Sequence, residues 1–175
     1  MAKGYRAARV DLADLLDPVR AVSLYKKAWQ DGVPIAASRL GHLYEYGLQG
    51  RNKSASVALQ SDASQAWLWY QQGADAGEAN ALARFAERDE NNALTATDVS
   101  KRNAQLLQAF ALYAAAAERA NEEGWPDDAW KHWRYRRASL ARLLAREGMM
   151  QQVADAYAAA LDKGSPRSTG VVEAN

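Results

Sequence analysis

Two stretches of this chain are written to one pattern. Residues 20–32 read RAVSLYKKAWQDG, and residues 65–77 read QAWLWYQQGADAG. Ala21, Leu24, Tyr25 and Gly32 return as Ala66, Trp69, Tyr70 and Gly77, each 45 positions on. The segment AFALYAAAA repeats the theme as Ala109, Leu112, Tyr113 and Ala116, and Tyr157, Ala160 and Gly164 follow the register of Tyr25, Ala28 and Gly32. A short helical hairpin cannot cover its own apolar stripe, so a chain that repeats one must stack its copies into a continuous core. Ala21 and Ala28 lie close to one helix face and allow a neighbouring helix to approach, Tyr25 fills the space beside them, and Gly32 takes the left-handed turn. Gly77→Val is expected to cost roughly 1 kcal/mol or more through the backbone alone.

Helix signals place the units. A leading helix is expected over 5–16, with Val10, Leu12, Leu15 and Leu16 on one side. Asp17 and Pro18 read as N-cap and first turn of a helix to Asp31; Gly32 stops it, and Pro34 restarts a second helix ending at Gly47. Residues 48–61 read as a loop. Asp62 and Gln65 form a capping box for a helix over 63–76, and its partner is expected over 78–88, where the charged stretch ERDENNALTATD breaks the pattern. Thr97 or Asp98 caps the first helix of a longer pair over 98–148, interrupted at Gly124-Trp125-Pro126. A last helix over 150–163 precedes a flexible tail, 165–175. The whole of 1–164 reads as a single domain.

The formal net charge is +1, which offers no general field for nucleic acid or an anionic membrane. No apolar run approaches the roughly 20 residues that cross a bilayer, and the N-terminus lacks the apolar segment of a signal peptide. Cysteine is absent, which fits a reducing compartment. A cytoplasmic location is expected, with the periplasm open if a leader has been removed. The only histidines, His42 and His132, fall on different helices, and no nucleotide, hydrolase or zinc motif occurs. The expectation is a chain without catalytic residues, metal or cofactor, and no enzyme. Glu87, Asp89 and Glu90 form an acidic cluster that reads as a solvated turn.

The pattern Ala-x-x-Trp/Leu-Tyr-x-x-Ala-x-x-x-Gly, followed by Leu-x-x-Leu-Tyr and a closing Gly, resembles the Sel1-like repeat, a relative of the tetratricopeptide repeat. Residues 17–47 match best, through Ala21, Tyr25, Ala28, Gly32, Ala36, Leu40, Gly41, Leu43, Tyr44 and Gly47. Trp69, Tyr70, Ala74 and Gly77 carry the second copy. The resemblance implies an all-α fold, a right-handed α-solenoid of antiparallel helix pairs. It also implies a scaffold or adaptor that binds a protein or peptide, as in bacterial envelope, secretion or signalling assemblies. Two alternatives accompany it: an immunity protein that inhibits a secreted toxin, and a cell-wall or β-lactam-hydrolysing enzyme by analogy with cysteine-rich relatives. The 45-residue spacing exceeds the usual repeat, which implies an insertion in 48–61.

In such an array the first helices line the concave face. Ser23, Lys27 and Gln30 form one stripe there, and Leu68, Gln72 and Asp75 are its equivalents. Trp29 and Trp67 stand outside the repeat's own tryptophan position, Trp69; Trp67 shares a face with Gln71 and reads equally as a packing plug or an interface anchor. In WKHWRYRR, residues 130–137, aromatic and basic side chains interleave. Helical geometry favours core packing, with Trp130, Trp133, Leu140 and Leu144 on one stripe and Arg137 stacked on indole. Lys131, Arg134 and Tyr135 are then left to solvent or a partner. Binding of a protein or an acidic ligand is the second reading and nucleic acid the least favoured. The candidate partner-binding set is Ser23, Lys27, Gln30, Trp67, Gln71, Gln72, Trp130 and Arg134. Oligomeric state is left open.

Overall fold

The computed structural model describes residues 18–47 and 59–164; the expected leading helix, most of the expected loop and the tail lie outside the described residues. Seven helices are present among them, and no strand. They are α1 (Pro18–Gln30), α2 (Ile35–Tyr46), α3 (Ala63–Asp75), α4 (Ala79–Thr95), α5 (Val99–Glu122), α6 (Asp127–Arg146) and α7 (Met150–Gly164). Each helix packs on its neighbour in sequence; α2 also meets α4, and α5 also meets α7.

The helix ends follow from the residues that mark them. Asp62 accepts a hydrogen bond from the Gln65 amide at 3.0 Å, and Asp98 accepts from Lys101 at 2.6 Å, each satisfying an amide that the first turn leaves without a partner. At Gly77, φ is 72°, and the Glu78 amide reaches back to the Gly73 carbonyl while the Gly77 amide reaches Ala74. The same two bonds close the helices at Gly32, Gly124 and Gly148. This left-handed closure is open to glycine at little cost and strained for any residue with a Cβ.

The repeated positions form the core. Ala21, Tyr25 and Ala28 are buried in the first unit, Ala66 and Tyr70 in the second, Ala109, Tyr113 and Ala116 in the third. The period extends into the second helices, where Ala36 and Leu40 correspond to Ala81 and Phe85, all buried. Three apolar clusters result among the described residues, and Tyr44 and Leu112 pack where they meet. Tyr157 departs from the pattern, since more than a third of it is exposed.

One boundary differs from the sequence reading. The partner helix expected over 78–88 continues to Thr95 as α4. Ala93 enters the core, and the charged residues between are satisfied by neighbours: Glu90 pairs with Arg136, Asp89 with Arg88 and Glu87 with Arg84. The acidic cluster is therefore a paired segment of helix, not a solvated turn.

Candidate functional site

Ser23, Lys27 and Gln30 are exposed on α1, and Gln71 and Gln72 on α3. Leu68 and Asp75 continue the α3 stripe; Leu68 is 57% exposed, and Asp75 accepts from the Gln71 amide nitrogen at 2.8 Å. The two helices approach through Trp29 and Trp69, whose rings meet edge to face at 6.5 Å. Trp29 thus packs between the first two units. Trp67 is half-buried. It packs edge to face on Tyr70 and Phe85, and the Arg88 guanidinium lies 5.0 Å from its ring centre.

On α6, Trp130, Trp133, Leu140 and Leu144 are all buried, as the stripe predicts. The arginine assignments change. Arg134, not Arg137, lies over the Trp130 ring, at 5.3 Å, while Arg137 lies over Tyr157 of α7, at 5.1 Å. The residue spacing brings both arginines near the tryptophan stripe, and α7 supplies a second ring that takes Arg137. Trp130, Arg134, Arg137 and Tyr157 line a cleft of about 380 Å³ with Ala117, Glu118, Asn121 and Asp127. The candidate set therefore falls on two surfaces: α1 with α3, and the α5–α6–α7 cleft.

A further set of residues was missed in the sequence. The Tyr70 hydroxyl donates to Glu45 at 2.8 Å, and Arg84 pairs with the same carboxylate. The Tyr113 hydroxyl donates to Glu90 at 3.3 Å, and Arg136 pairs with that carboxylate at 2.8 Å. Glu45 and Glu90 are themselves 45 positions apart, the signal that could have revealed them. Each carboxylate sits on the second helix of one unit and each tyrosine on the first helix of the next. Burial first, and then the Glu90 charge, push the Tyr113 hydroxyl up to about 12; burial and Glu45 raise Tyr70 further. Both hydroxyls thus stay protonated near neutral pH and act as donors rather than bases. Glu78 is also buried, accepting from Ser38 and from the amides of Asn80 and Ala81, which makes it the cap of α4.

No group of three or more metal-ligating side chains occurs among the described residues. No helix among them is long and apolar enough to cross a membrane. Neither a family model, nor a curated protein, nor a solved structure matches the chain.

Proposed function

We propose that this chain is a non-catalytic scaffold for protein–protein interaction, a right-handed α-solenoid of antiparallel helix pairs akin to the Sel1-like repeats. Its partner is a protein or peptide held on the concave face made by the first helices. The observation that carries the reading is the exposed stripe on α1 and α3. Ser23, Lys27 and Gln30 stand at the same register as Leu68, Gln72 and Asp75, while Tyr25 and Tyr70 on the opposite faces are buried. A rigid core below and repeated side chains above suit recognition by side chains. Trp67 offers an aromatic edge beside Gln71, and interface energies concentrate on such aromatic groups. Trp130 reaches a partner only through the cleft it lines.

A photo-crosslinking residue placed at Gln72 should capture one abundant protein from the source organism's lysate. The Lys27→Glu variant of the same probe protein should lose that product while keeping the parent's melting temperature. Capture unchanged by Lys27→Glu, or no product from a folded protein, would remove this face as the site.

A further inference from the structure

The tyrosine–carboxylate–arginine set occurs at two successive junctions and stops at the third. Tyr157 occupies on α7 the register that Tyr70 and Tyr113 occupy on α3 and α5. An arginine lies against its ring as Arg84 lies against Tyr70, at 5.1 Å and 5.6 Å. The carboxylate is missing. At the earlier junctions it comes from the preceding second helix, as Glu45 and Glu90. Here that helix is α6, and it presents Arg137 instead. Among the described residues no carboxylate pairs with Arg134, Arg137 or Tyr157. The space opens as the cleft of about 380 Å³ between α5, α6 and α7.

The cleft has two electrostatic ends. Asp127 and Arg137 both line it from α6, and at 1.5 Å of rise per residue they lie about 15 Å apart along the helix axis. Arg134 stands nearer Arg137, so the basic end has two guanidinium groups, each already laid on an aromatic face. A guanidinium held in that way keeps its edge for a carboxylate. Glu118 and Asp127 oppose a long run of acidic residues and leave room for one.

We propose that this cleft binds an acidic side chain of a partner peptide, whose carboxylate takes the place beside Tyr157 and Arg137 that Glu45 and Glu90 hold beside Tyr70 and Tyr113. The proposal rests on the reading of the chain as a protein-binding scaffold and names the partner chemistry at its second surface.

The test is a titration of the ¹⁵N-labelled full chain with the blocked peptide Ac-Gly-Glu-Gly-NH₂, against Ac-Gly-Gln-Gly-NH₂. The readouts are the Trp130 indole signal and the Arg134 and Arg137 guanidinium signals. Saturable shifts are expected with the glutamate peptide, with at least tenfold weaker binding of the glutamine peptide. Arg137→Gln should weaken the glutamate peptide at least fivefold, and Lys131→Gln, on the same helix, should leave it unchanged. If Arg137→Gln loses its dispersed spectrum, Arg134→Gln on the exposed side carries the same expectation. Equal binding of both peptides, indifference to both arginine variants, or saturable binding of hexathymidylate in preference to the glutamate peptide overturns the proposal. A partner cross-linked through Gln72 with no glutamate-peptide binding overturns the cleft and leaves the scaffold reading standing.

Discussion

At the junction of α2 with α3, Gly41 lies so close beneath Tyr70 that a Cβ there would stand 2.6–2.8 Å from ring atoms. At the junction of α4 with α5 the position 45 residues on is Ala86, fully buried in the same cluster as Tyr113. The polar sets differ in the same sense, since the tyrosine–carboxylate distance is 2.8 Å at the first junction and 3.3 Å at the second. The contact between α4 and α5 is the most extensive among the described helices. One junction is held by a tight local fit and the other by the length of an alanine-rich contact. A repeat can therefore keep its polar signature while changing how its packing is achieved.

Substitutions at the paired positions test this contrast. Gly41→Ala forces a ring that is 2% exposed to move, so a net loss of about 2 kcal/mol is expected in urea unfolding. Ala86→Gly adds backbone freedom, about 1 kcal/mol, and removes a buried methyl, roughly 0.8 kcal/mol more, without displacing a ring. The distinction lies in the Tyr70 ring signals, which should shift in Gly41→Ala while the Tyr113 ring signals stay in place in Ala86→Gly; unmoved Tyr70 signals would erase it.

The tyrosines come next. Tyr70→Phe removes the shorter bond to a charged acceptor and should cost about 2 kcal/mol, and Tyr113→Phe about 1 kcal/mol, at pH 8. Their pH dependence has a definite sign. The Tyr113 hydroxyl titrates near 10 when unfolded and about 12 when folded, so its contribution is complete below pH 10 and is lost as pH rises towards 12. The stability gap between the parent and Tyr113→Phe should shrink between unfolding series at pH 8 and pH 11. A gap that widens would contradict the burial of that hydroxyl.

The smallest effects are expected at the arginines. Arg84 bridges Glu45 and Glu87, so Arg84→Lys should cost about 1 kcal/mol. Arg136 is half-exposed, and Arg136→Lys should cost about 0.3 kcal/mol. Thermal melts at low and at 1 M salt separate the two, because the exposed pair is the more screened.

Much of this was legible in one dimension. Close helix approach requires small residues at fixed intervals, so Ala21, Ala28, Ala66 and their equivalents announce the repeat. Gly32 and Gly77 mark helix ends because few other residues take a left-handed closure, and Asp62 and Asp98 mark starts because the first turn needs an acceptor. The end of α4 was not legible, because ERDEN resembles a loop until Arg136 and Tyr113, distant in sequence, are seen to satisfy Glu90. The partners of Arg134 and Arg137 were hidden for a related reason: helical spacing brings both near the same stripe, and only α7 decides between them. Of the candidate residues, Trp130 was legible as core, while the sequence left Trp67 open between plug and anchor.

The edge-to-face contact of Trp29 with Trp69 has an optical consequence. Two indoles 6.5 Å apart and inclined at 86° couple their electronic transitions, and this pair spans the first unit and the second. A second pair, Trp125 with Trp133 at 6.1 Å, joins the turn before α6 to α6 itself. The described residues therefore hold two tryptophan pairs, only one of which joins the first unit to the second. The difference in near-ultraviolet circular dichroism between the parent and Trp29→Phe isolates that pair and can follow the detachment of the first unit.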